Sequence, residues 1–128
     1  MKKQGEPELL EAIFGGEANS GALSGEAKSL LRDALHTLTP REEKVLRLLF
    51  GIDCEQQSRT TVARGLPNLF TKQQGVTPVR VEQIESKALR KLRHPKRARK
   101  LAPEAIKLGL GRSEYLTSLI NTTEQSDV

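Results

Sequence analysis

Apolar side chains recur along this chain at intervals of three and four, the spacing that gathers them on one face of an α-helix. Leu9, Leu10, Ile13 and Phe14 form a first short stripe, closed by Gly15 and Gly16, and predict a brief amphipathic helix on a flexible lead. Ala27, Leu30, Leu31, Ala34, Leu35 and Leu38 predict a helix from Glu26 to Leu38. Thr39-Pro40-Arg41-Glu42 then spells a capping box: a threonine to cap, a proline with the φ of a first turn, and a glutamate three residues on that can reach back. The helix it opens, Pro40 to Phe50, has Val45, Leu46, Leu49 and Phe50 as its buried stripe and Gly51 where a left-handed cap is wanted. These two helices are expected to pack antiparallel. From Ile52 to Gly65 the pattern dissolves into polar residues and predicts a loop or weak helix.

Leu66 to Gln74, then Gly75, then a long helix from Pro78 read as helix, short turn, helix, the layout of a helix-turn-helix motif. In its second helix Thr77 is the natural N-cap and Val81, Ile84, Ala88 and Leu92 are the core stripe. Arg80, Gln83, Lys87, Arg90 and Lys91 are left on other faces. His94-Pro95 should stop or kink that helix, Pro103 should start another (PEAIKLGL), Ser113 a last one (SEYLTSLIN), and TEQSDV should fray. The predicted class is all-α: a small helical domain over 26–101 with a C-terminal helix-turn-helix. A partly flexible N-terminal extension, 1–25, and a C-terminal helical extension and tail, 102–128, flank it.

Composition narrows the picture. A chain of 128 residues fits one small domain that needs no disulfide or metal, and its single Cys54 can form no intrachain bridge. No apolar run is long enough for a membrane span, and MKKQGEPELL is polar where a signal peptide would be apolar, so a cytoplasmic protein with no membrane partner is expected. His36, His94 and Cys54 lack metal-ligand spacing, and no phosphate-binding glycine loop or nucleophile motif is present; neither enzyme chemistry nor a cofactor is expected. Cys54 reads as a small packing residue, with a thiol sensor as the alternative, and His94 as a cap or a phosphate contact. No heptad pattern runs long enough to predict a coiled coil.

Charge changes it further. The net +5 is concentrated between residues 80 and 100, where nine cations face only Glu82 and Glu85, and Lys87 to Lys100 holds eight cations without an acid. Such a block attracts a polyanion by counterion release, although a solvated basic helix face has the same composition. It contains no aromatic residue on which single-stranded bases could stack, which favours duplex DNA. Lys91 and Arg93 also suit the negative pole of their own helix, a structural role that competes with DNA contact.

LTPREEKVLRLLFGID, Leu38 to Asp53, and VTPVRVEQIESKALRKLRHPKRARKL, Val76 to Leu101, closely resemble region 4 of primary bacterial RNA polymerase sigma factors and occur in that family's order. With the preceding helix the resemblance covers 26–101. It implies a domain whose second motif helix enters the major groove of the upstream, minus-thirty-five promoter element. It also implies that the earlier helices, here Glu26 to Leu38 and Pro40 to Phe50, dock on the β-flap of core RNA polymerase. The implied partners are double-stranded promoter DNA and polymerase core, with another sigma-like subunit or an anti-sigma protein as further candidates.

The departures from the family matter as much. From Cys54 to Gly75 there are 22 residues where the family usually has about fifteen; the lengthening is expected in the first motif helix, with Gln74 at a position the family keeps apolar. In the recognition helix, Pro78, Val79 and Glu82 replace the Arg, Glu and Arg that read bases in the family. An arginine pairs bidentately with guanine and a glutamate accepts from cytosine, so the ordinary hexamer should not be read. Arg80 and Lys87 remain at positions that touch the DNA backbone in the family. Gln83 can bond adenine and Val79 can meet a thymine methyl, unless both are ordinary exposed positions. The expected DNA-binding set is Thr77, Val79, Arg80, Glu82, Gln83, Lys87, Arg90, Lys91, Arg93, Lys96 and Arg97. Nothing resembles the family's promoter-melting domain. Two roles are therefore expected: a regulator that binds polymerase and promoter DNA with altered readout, or an interaction module that competes for the flap or titrates an anti-sigma factor without binding DNA.

Overall fold

The capping box forms as its residues dictate: the Glu42 amide donates to Thr39 Oγ1 (3.2 Å) while the Glu42 carboxylate accepts from the Thr39 amide (3.1 Å). In the computed structural model, which describes residues 5–19, 23–68, 71 and 73–126, this box opens the third of seven helices among the described residues. They are α1 (Glu6–Phe14), α2 (Gly25–His36), α3 (Pro40–Phe50), α4 (Arg59–Gly65), α5 (Pro78–Arg93), α6 (Pro95–Lys107) and α7 (Ser113–Ser126). Ser24 caps α2 through the Ala27 amide (3.1 Å), so that helix begins one residue before Glu26 and ends at His36 rather than Leu38. Gly51 closes α3 at φ 70; a Cβ there would press on Gln56 at 3.2 Å and on the Cys54 carbonyl at 3.3 Å. The fold is all-α, as the periodicity predicts.

The first helix of the helix-turn-helix lies elsewhere than predicted. It is α4, in the stretch read as loop or weak helix, and the described residues of Leu66 to Gln74 are not helical. Ser58 caps α4 through the Thr61 amide (3.2 Å), and Val62, Ala63 and Leu66 pack inward. Leu66 is extended (φ −86, ψ 135), the conformation a following proline favours, and the helix ends there. The chain then makes an excursion and returns: Pro67 bridges Gln74, the Asn68 amide donates to the Gln73 carbonyl (2.8 Å), and the Gly75 amide donates to the Leu66 carbonyl (2.7 Å). Gly75, at φ 103, turns the chain into α5. The extra length thus falls between the motif helices, not within the first one; residues 69, 70 and 72 of it lie outside the described residues. Gln74 is not at a packing position. It is exposed and its side-chain Nε2 donates to the Gly65 carbonyl (2.9 Å), while Leu66 fills the buried place.

Val81, Ile84, Ala88 and Leu92 of α5 are all buried, and Thr77 caps the helix through the Arg80 amide (3.1 Å). His94 joins two helices: its amide closes α5 on the Lys91 carbonyl, and its ring nitrogen Nδ1 accepts from the Lys96 amide (3.2 Å) to open α6. Pro103 does not start a helix but lies inside α6, on an exposed face where its ring finds room. Ala98, Leu101, Ala102 and Ala105 carry the buried stripe through it. Helix α7 continues past Asn121 to Ser126. Cys54 is exposed rather than packed, because Ile52 takes the buried place (1% exposed) and Asp53, at φ 62, turns the next residue outward.

Both flanking stretches share the core. Leu9, Leu10 and Ile13 of α1 and Leu116 and Leu119 of α7 belong to one apolar cluster with the helix-turn-helix. Their connections also meet: the Gly111 amide donates to the Gly15 carbonyl (3.2 Å) and the Asn19 amide to the Leu108 carbonyl (2.9 Å). No helix among the described residues is long and apolar enough to cross a membrane.

Candidate nucleic-acid interface

Helix α5 buries one side and exposes the other. Its burial against α3 and α4 is reinforced by two ion pairs: Arg59 of α4 to the buried Glu85 (2.7 Å), and Lys91 to the buried Glu42 of α3 (2.8 Å). These fix the rotation of α5 about its axis and so decide which residues face solvent. Val79, Glu82, Gln83, Ser86, Lys87 and Arg90 line one shallow, open concavity along the outer side, with Arg80 exposed beside them. This is the geometry a major-groove helix requires, since the base-facing side must be free of intramolecular packing. The Arg80 guanidinium donates to the side-chain oxygen Oε1 of Gln83 (3.4 Å). Thr77 Oγ1 is occupied as an acceptor by the cap, which leaves its hydroxyl proton free to donate.

The eleven residues expected at a DNA surface divide. Thr77, Val79, Arg80, Glu82, Gln83, Lys87 and Arg90 share the exposed side or the first turn of α5, and Lys96 is exposed at the start of α6. The side chains of the other three make contacts to other helices or their connections. Lys91 pairs with Glu42, Arg93 donates to the Ala12 (2.7 Å) and Ile13 (3.2 Å) carbonyls at the end of α1, and Arg97 donates to Thr37 Oγ1 (2.8 Å). A guanidinium on the last carbonyls of a helix also meets the negative end of its dipole. Ser86 was not singled out from the sequence, although its spacing of seven from Val79 assigns it to the same stripe.

Burial works to raise the pKa of Glu42, but hydrogen bonds from Lys91 and Thr39 outweigh it and hold the carboxyl below its ordinary range. Beyond α3, the hydrogen bond from Arg32 holds Asp53 below the ordinary range, with Arg47 adding to the effect. That cluster, with Arg32 to Asp53 at 2.7 Å and Arg47 to both Glu43 (2.9 Å) and Asp53 (3.1 Å), ties α2 and α3 together. Beside it Pro40, Lys44, Leu48 and Ile52 help line an open groove on α3. Among the described residues no group of three His, Cys, Asp or Glu side chains could hold a metal ion.

Comparison with known proteins gives one consistent relationship. The chain is 54% identical over 74 residues to the RNA polymerase sigma factor SigA of Clostridium acetobutylicum, and 51% identical over 74 residues to the protein of the same name from a Bacillus species. In each case the match covers 58% of this chain and 18% of the relative, so the chain spans less than a fifth of the length of these relatives. No family profile matches the chain, and no solved structure matches it.

Proposed function

Taking as premise that this chain is homologous, over a region 4-like segment, to RNA polymerase sigma factors, we propose that it is a transcription regulator that binds duplex promoter DNA through α5. Its contact with core RNA polymerase is through α2 and α3. The observation that carries this reading is the exposed side of α5, where Arg80, Lys87 and Arg90 flank Val79, Glu82, Gln83 and Ser86 and none of the described residues packs over them. Lys87, Arg90 and Lys96 supply sequence-independent grip on phosphate. The central residues supply a readout different from the ordinary upstream hexamer, because two of the family's arginines and its glutamate are absent from their places. The polymerase surface is the groove beside Pro40, Lys44, Leu48 and Ile52, and its partner is the β-flap.

Two measurements test the proposal. Duplex binding followed by fluorescence anisotropy should weaken steeply with salt, and Lys87→Ala with Arg90→Ala should flatten the slope by roughly 0.9 log units per contact removed. The tagged chain should also retain core polymerase subunits from nuclease-treated host lysate. Retention of polymerase without any duplex binding would favour the other role instead, a module that occupies the flap or titrates an anti-sigma protein.

A further inference from the structure

We infer that Val79 and Glu82 are the specificity-determining pair of α5, reading a thymine through its methyl group and, on an adjoining base pair, a cytosine through its exocyclic amino group. The inference rests on the proposal that α5 enters duplex DNA.

Val79 is 62% exposed, a branched apolar side chain in the first turn of an otherwise polar helix face. Most of its surface is left uncovered by the described residues. The apolar feature of a major groove is the thymine C5 methyl. Glu82 is exposed on the same stripe and has no hydrogen-bond or ion-pair partner among the described residues. A free carboxylate amid Arg80, Lys87 and Arg90 opposes the electrostatic attraction those cations create, so a helix that only gripped phosphate would be better without it. It becomes favourable where a base-edge donor meets it. Cytosine N4 is such a donor, with an acceptor on one side only, the O6 of its paired guanine, whereas the adenine amino group lies between two acceptors, its own N7 and the O4 of the paired thymine, and guanine and thymine themselves present acceptors that repel the carboxylate. Three residues of helix rise about 4.5 Å, close to the ~3.4 Å between stacked base pairs, so one helix face can address neighbouring pairs.

The test selects duplexes from a random pool on the full chain and measures the selected sequence by anisotropy. Replacing one particular thymine by uracil, which removes only the methyl, should weaken binding about fourfold, the equivalent of one methyl-sized contact. In Val79→Ala the thymine and uracil duplexes should bind alike. Exchanging the adjoining cytosine pair should cost roughly tenfold. In Glu82→Ala that penalty should vanish while affinity for unselected DNA rises, because a repulsive charge has gone. Both residues are exposed, so unchanged thermal melting of the variants will verify their fold. Equal binding of thymine and uracil duplexes by the parent chain, or penalties that persist in the variants, would overturn the inference and leave DNA binding standing. Failure of the full chain to bind any duplex would overturn both.

Discussion

Glu42 serves two helices at once. Its carboxylate completes the capping box of α3 and receives Lys91 from α5, 49 residues away in sequence, while the side chain is almost wholly buried. Because its folded pKa lies below the ordinary value, it stabilises the fold above about pH 4, and that contribution is lost as pH falls through the depressed folded value. Asp53 acts in the same direction. Urea unfolding between pH 6.5 and 3 should therefore show stability falling on the acid side. Glu42→Gln should be less stable than the parent at pH 6.5 and show a shallower fall; an equal fall in both would contradict this account. Thr39→Ala removes the reciprocal half of the box and should cost about 1 kcal/mol in the same assay.

Among the elements, the excursion from Pro67 to Gln74 is the unusual one. The chain leaves and re-enters the motif where the Gly75 amide meets the Leu66 carbonyl at 2.7 Å, and the next residue, Val76, donates to Ala63 of α4 (2.8 Å). The motif is therefore closed across the base of the excursion. Deleting Pro67 to Gln74 should leave a cooperatively folding protein whose melting temperature lies near that of the parent. Leu66→Ala, at a side chain 1% exposed, should cost about 2–5 kcal/mol. Collapse of the deletion variant in a thermal melt would show that the excursion itself supports the turn.

For the molecule as a whole, the stretches outside the motif are structural. Leu9, Leu10 and Ile13 of α1 are 0%, 1% and 4% exposed, and each contributes roughly 1.5–3 kcal/mol through its burial. Against a typical margin of about 5–15 kcal/mol, removal of residues 1–19 should bring the chain close to unfolding, seen as a greatly lowered or absent cooperative melt by circular dichroism. The same truncation removes the carbonyls that hold Arg93. A truncated chain that melts like the parent would show α1 to be dispensable.

The sequence by itself determined what local chemistry controls. The Thr39 box, the Gly51 stop, the Thr77 cap and the stripes of α3 and α5 depend on atoms within a turn or two, so residue order is enough to find them. The base-facing side of α5 was legible for the same reason: once Val81, Ile84, Ala88 and Leu92 are known to be core, the remaining positions follow from the helical period. Tertiary structure alone decided three other matters. Helix α4 has seven residues, with only Val62 and Ala63 buried, too few to announce a period, and its existence rests on packing against α5. Leu66 to Gln74 reads as a helix in the sequence, yet whether the chain beyond Leu66 forms a helix or an excursion depends on the return contact at Gly75. Among the cations, Lys87, Arg90 and Lys96 are exposed, and none of their side chains is paired with a described residue. Lys91, Arg93 and Arg97 are taken up by Glu42, the end of α1 and Thr37, partners distant in sequence that only the packing of helices brings within hydrogen-bond reach.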